Sequence, residues 1–127
     1  MDKKETTVEK RRHERFKVRK GILVAVVNDY IKVGQIINIS KGGIAFSYIS
    51  KGEQLKGRHK INILLSRIDF SLKEVPFIVV SDLNLDSEIP FSTELMKQCS
   101  GQFGGLTNQQ KSHLDYLLSY IKIAQYK

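Results

Sequence analysis

The chain has 127 residues, 41% of them hydrophobic and 27% charged, with a formal net charge of +8; this is the size of one domain and an ordinary composition for a soluble globular protein. No apolar run approaches the roughly 20 residues that span a bilayer, no apolar stretch follows the charged opening residues as in a secretory signal, and a lone cysteine, Cys99, excludes an internal disulfide. The expected setting is therefore the cytoplasm, and the positive charge calls for an anionic partner such as a nucleotide, a nucleic acid or a membrane surface.

In chain order, residues 1–9 read as a flexible basic tail ahead of a domain over 10–127. The run Lys10-Arg11-Arg12-His13-Glu14-Arg15 is dense in cations, and Phe16 and Val18 tie it to the apolar segment beyond. Ile22 to Val27 is continuously apolar, as in a well-buried strand. Asn28-Asp29 signals a turn, and a second strand is expected from about Tyr30 to Ile39, with Gly34 marking a bulge. Gly42-Gly43 breaks the chain before a short strand, Ile44 to Tyr48. After a loop around 52–57, Lys60 to Leu65 alternates with Ile61, Ile63 and Leu65 on one face. Phe70-Leu72 starts another strand, Phe77 to Leu83 is a β-branched run, Asp82 to Pro90 reads as turn, and Leu95 to Phe103 reads as the last strand. Six or seven short strands with turns between them predict an antiparallel barrel or sandwich, not βαβ units.

The final segment changes period. Thr107 and Gln110 are spaced as a capping box. Leu114, Leu117, Leu118 and Ile121 then take the spacing of one helix face. A C-terminal amphipathic helix of about 18 residues must lay that face on the strands.

Two clusters carry chemistry. In Arg11-x-x-x-Arg15 each guanidinium presents five donors in a planar fork. Such a fork holds a phosphate, pairs with the O6 and N7 of guanine, or stacks on a purine. Arg12 and His13 are secondary contacts, and Glu14 a local ion pair. The other reading of this run is a basic linker. The second cluster is Asn38-x-Ser40-x-x-Gly43 at a strand-to-strand turn. If the strand continues to Ser40, Asn38 and Ser40 share a face, where an amide and a hydroxyl can read a purine edge. Gly42 and Gly43 permit positive φ and close approach of a ligand to the backbone. The other reading is a turn capped by its own serine. No Cys/His spacing suggests zinc, and Ser40 has no histidine in register to activate it. Asp29, Asp69 and Glu74 are isolated carboxylates, and Cys99 reads as a small buried hydrophobe. No catalytic or metal-ligating set emerges.

The order of these clusters, in a chain that reads as a small barrel closed by a helix, resembles the PilZ domain family of cyclic di-GMP receptors. The resemblance covers roughly residues 9–123. It extends to Arg15-Phe16-x-Val18, Gly42-Gly43-Ile44-Ala45-Phe46, Gly101-Gln102-Phe103 and Leu106-Thr107. It implies a mainly β fold, a six- or seven-stranded antiparallel barrel with a C-terminal amphipathic helix. It implies that Arg11 and Arg15 grip a phosphate and a guanine, and that Asn38, Ser40, Gly42 and Gly43 line the guanine site. Asn38 stands where Asp is also common in the family. Lys10 ahead of the first arginine is compatible with a stacked pair of ligands, leaving one or two per site open. The expected protein is not an enzyme and needs no cofactor. It takes cyclic di-GMP and passes occupancy to an effector protein controlling motility, exopolysaccharide or adhesion, as a monomer or homodimer without membrane insertion. The alternatives are a small basic barrel that binds nucleic acid, disfavoured because the charge is clustered and not spread as a stripe, and a PilZ-like interaction module without a nucleotide.

Overall fold

The computed structural model describes residues 14–17, 22–27, 31–50, 54–65, 70–88 and 95–125. They form β1 (Phe16–Lys17), β2 (Ile22–Val27), β3 (Ile31–Ile39), β4 (Gly43–Ser50), β5 (Arg58–Leu65), β6 (Phe70–Glu88), β7 (Leu95–Phe103) and α1 (Asn108–Gln125). The expected tail over 1–9 and the cations Lys10, Arg11 and Arg12 lie outside the described residues, as does Asn28-Asp29.

All strand pairs are antiparallel, in the order β1-β3-β2-β5-β6-β7-β4, and a β3–β4 pairing brings the sheet back on itself. The wrap is loose because β3 divides its length. It pairs with β2 over Ile31 to Gln35 and with β4 over Gln35 to Ile39. The two-residue β1 continues the β2 edge of β3, with Phe16 opposite Ile39 and Lys17 opposite Asn38. The result is a mainly β, barrel-like sheet.

Period-two patterning decides what faces inward. Ile44, Phe46, Tyr48 and Ser50 of β4 and Ile61, Ile63 and Leu65 of β5 are buried, whereas Ile49 and Leu64 between them are exposed. They meet Leu72, Val75, Phe77 and Cys99 in one core. The α1 face predicted from its spacing completes it: Leu114, Leu117, Leu118 and Ile121 are all buried. Burying each such side chain stabilises the fold by roughly 1.5–3 kcal/mol, which holds the helix on the strands. The capping box forms as read: Gln110 N–H donates to Thr107 Oγ1 and Thr107 N–H to Gln110 Oε1, each at 3.0 Å. The Gln110 amide also donates to the carbonyls of Lys73 and Glu74 at 3.1 Å, so the helix start is fastened to β6.

Three expectations change. The β3 bulge lies between Ile36 and Asn38, not at Gly34. Gly34 is needed for close packing, since a Cβ there would meet the Ser47 carbonyl at 2.4 Å. The segments 70–72 and 77–83 are one strand, which absorbs the turn residues after Asp82 and runs to Glu88. Three irregularities accompany this length. Lys73 and Glu74 are the extra residues opposite Asn62, with Glu74 at φ 54°, Val80 is extra between Val79 and Ser81, and a wider irregularity separates Asn84 from Glu88. Pro76 is tolerated next to the first bulge, and its carbonyl accepts from Gly104 N–H at 2.8 Å. Finally, β4 runs from Gly43 to Ser50, longer than read, because β7 pairs with it along its whole length.

Candidate ligand-binding site

The turn between β3 and β4 is built by Ser40. Its own N–H donates to the Gly43 carbonyl at 2.9 Å. Its hydroxyl oxygen accepts from Gly42 N–H at 3.1 Å and from Gly43 N–H at 3.2 Å. Ser40 is 4% exposed. The Gly42 carbonyl accepts from Phe103 N–H at 2.9 Å, which stitches the turn to the end of β7. Gly43 is required by closeness: a Cβ would lie 2.2 Å from the Gly101 carbonyl. Among the described glycines only Gly57 has positive φ, so the expected positive φ at Gly42 and Gly43 is not used.

Asn38 is half-buried in β3, opposite Ala45 of β4 and Lys17 of β1. The short β1–β3 pairing sets Arg15 immediately before this point, and half-buried Phe16 anchors it on the core. Arg15 Nη1 donates to Asn38 Oδ1 at 3.0 Å. The described part of the arginine cluster and the Asn-Ser-Gly turn therefore meet, although Arg15 and Asn38 are 23 positions apart. Asn38 and Ser40 do not present equivalent groups: the amide faces the arginine, and the hydroxyl is turned into its own loop.

Lys41 at the tip of the turn is exposed and lies 3.9 Å from Asp115 of α1, so helix and turn touch. On one side of this contact is a cavity of about 370 Å³ that includes Glu14, Phe16 and Lys122. On the other is one of about 480 Å³ that includes Phe103, Gly104 and Lys111. Sequence reasoning missed Lys41 because it is an arbitrary position of the motif, and only packing of α1 brings Asp115 to it.

A second polar cluster was also missed. Lys97 Nζ lies 2.9 Å from Asp82 Oδ2 inside the sheet. Tyr48 Oη donates to the Asp82 carboxylate at 2.8 Å, and Leu55 N–H donates to Asp82 Oδ2 at 2.8 Å. Nothing local marks these residues, since Asp82 stands in a segment that reads as turn. Nearby, burial first and the Asp82 charge second push the Cys99 thiol up to about 12, with Lys97 acting in the opposite direction. That thiol is neutral and inert at neutral pH, as expected of a buried hydrophobe. Among the described residues no group of His, Cys, Asp and Glu could hold a metal ion, and no helix is long and apolar enough to cross a membrane.

No family model matches the sequence, and no curated protein is similar to it in sequence. Solved structures are similar in fold. The PilZ domain of YcgR from Escherichia coli, determined with c-di-GMP, is 11% identical with a TM-score of 0.72, covering 91% of this chain and 93% of that one. A longer YcgR in complex with c-di-GMP is 12% identical with a TM-score of 0.71, covering 91% of this chain and 47% of that one. The K. pneumonia MrkH–c-di-GMP complex is 19% identical with a TM-score of 0.65, covering 92% of this chain and 55% of that one. The chain thus spans about half the length of MrkH and of the longer YcgR. Its rolled antiparallel sheet, with β1 paired beside the β3–β4 turn and a helix packed on the core, is the fold of a PilZ domain.

Proposed function

We propose that this protein binds cyclic di-GMP between the Arg11-x-x-x-Arg15 segment and the Asn38-x-Ser40-x-x-Gly43 turn, and relays occupancy to a partner protein. The observation that carries this reading is the 3.0 Å hydrogen bond from Arg15 to Asn38, which joins the two motifs. A guanidinium held at an amide has donors left for a phosphate or for guanine O6 and N7. The amide in turn can accept from guanine N–H groups once the arginine shifts to the ligand. Lys10, Arg11 and Arg12 supply further cations to the dianionic ligand, and Gly42 and Gly43 leave room for it. Ser40 holds the turn in shape. The Ser40 hydroxyl is occupied by the turn and the Cys99 thiol is protonated and buried, so neither is poised as a nucleophile, which supports a binding role.

A calorimetric titration with cyclic di-GMP, with cyclic diadenylate as control, tests this. Saturable binding of the guanine ligand alone is expected. No heat or equal heats with both ligands would reject guanine recognition here.

A further inference from the structure

Strand register extends the candidate site beyond its two motifs. Asn38 of β3 pairs with Ala45 of β4, and Ala45 with Ser100 of β7. One two-residue step along these strands, Gly43 of β4 pairs with Gln102 of β7, and Gln102 with Ile78 of β6. Directly paired antiparallel residues share a face. Here it is the outer face, since Ile44, Phe46 and Cys99, which alternate with them, lie in the core. Gln102 is exposed between buried Gly101 and half-buried Phe103. Asn38 and Gln102 therefore stand on one outer face, diagonally across Ala45 and Gly43. Ala45 carries a methyl group and Gly43 no side chain, so the strip between the two amides is low. Two inter-strand spacings and two residues of rise put their Cα atoms roughly 12 Å apart, close enough for one purine to span the two side chains.

The backbone holds Gln102 to the motif turn. Phe103 N–H, the next along the chain, donates to the Gly42 carbonyl at 2.9 Å. Gly43 in turn lies so close to the Gly101 carbonyl that a Cβ there would collide with it. The Ser40 turn and Gln102 thus belong to one piece of structure.

We propose that Gln102 is a third reader of the nucleotide: its side-chain amide donates to the O6/N7 edge of the guanine whose N–H groups meet Asn38. This rests on the reading of the site given above. Guanine has polar edges of opposite character, with N1–H and N2–H as donors and N7 and O6 as acceptors. Asn38 Oδ1, once released by Arg15, accepts at the donor edge. The acceptor edge then faces across Gly43 toward β7, where Gln102 supplies two N–H donors. Arg15 is left for the phosphate. Adenine presents an acceptor at N7 and a donor at N6, and a glutamine amide can match both. Gln102 therefore adds affinity, and the choice of guanine falls to Asn38. An uncharged amide adds no Coulomb attraction, so its contribution is insensitive to salt.

Calorimetric titration of the full chain and of Gln102→Met, which has similar length and no donor, tests this. The ligands are cyclic di-GMP and cyclic di-IMP, which keeps O6 and N7 and lacks the 2-amino group. Gln102→Met should weaken both by the same factor, roughly fivefold for one lost hydrogen bond. The factor should be equal at about 0.05 and about 0.5 M NaCl, with Tm unchanged because the side chain is exposed. Unchanged affinity in the variant, while the parent chain binds cyclic di-GMP, overturns this assignment and leaves the site itself standing. A loss confined to cyclic di-GMP also overturns it, because Gln102 would then read the 2-amino group. No binding by the parent chain rejects the site, and Gln102 with it.

Discussion

Lys97 and Asp82 form an ion pair in the interior of the sheet, at 2.9 Å, with side chains 8% and 1% exposed. The carboxylate also receives the Tyr48 hydroxyl and the Leu55 N–H, so it pins the 54–57 segment to the sheet. Removing one partner leaves a buried charge without compensation, which costs roughly 3–5 kcal/mol. Asp82→Ala should therefore lower stability in urea unfolding by about that amount. The double variant Asp82→Leu/Lys97→Met should recover a large part of the loss. Equal losses in the single and double variants would show that packing, not charge, dominates this site.

Arg15 and Asn38 should contribute to ligand binding as a coupled pair. Arg15→Ala is expected to cost about 2–4 kcal/mol in cyclic di-GMP affinity, through loss of a charge-assisted contact, and Arg11→Ala a similar amount. The arginine deficits should shrink as salt is raised, whereas that of Asn38→Ala should persist. Calorimetric titrations of the three variants at two salt concentrations measure this, and unchanged affinity in both arginine variants rejects the assigned site.

Ser40→Ala should act first on stability. It leaves the N–H groups of Gly42 and Gly43 without their acceptor in a buried turn, at a cost of about 1–3 kcal/mol. Thermal unfolding and ligand titration should therefore worsen together. Lost binding at unchanged Tm would instead assign the hydroxyl directly to the ligand.

Stability should fall in alkali through Cys99. The ordinary thiol value is 9.0, and in the folded protein it is pushed up to about 12. The neutral thiol is thus favoured by the fold. Its contribution is complete below pH 9, where both states are protonated, and is lost between 9 and 12 as only the unfolded state releases its proton. Urea unfolding across this range should show a decline that Cys99→Ala reduces. A thiol reagent should not label the native protein at pH 8.

Glu74→Gly should be neutral or stabilising by up to about 1 kcal/mol, because a left-handed backbone is strained for a residue with a Cβ, although glycine also loosens the unfolded chain. Gln110→Ala should destabilise by about 1–2 kcal/mol, since one side chain serves both the helix cap and the bulge carbonyls. Denaturation midpoints decide both signs.

The elements read correctly are those whose signal is local. β5 and β7, the buried face Leu114–Leu117–Leu118–Ile121 and the Thr107–Gln110 cap arise from side-chain period and from contacts within one turn, so the sequence alone determined them. It also marked Ser40 and Gly43 as a turn, without revealing that Gly43 is there for the close approach of β7. Continuation of β6 through Asp82 and beyond, the meeting of Arg15 with Asn38, the Lys41–Asp115 contact and the Asp82–Lys97 pair were decided by tertiary structure. The continuation of β6 depends on its pairing with β7, and the other three on a hydrogen bond or ion pair between residues 15 to 74 positions apart. The strength of such contacts is set by burial and strand register, and neither is present in any short window of the chain.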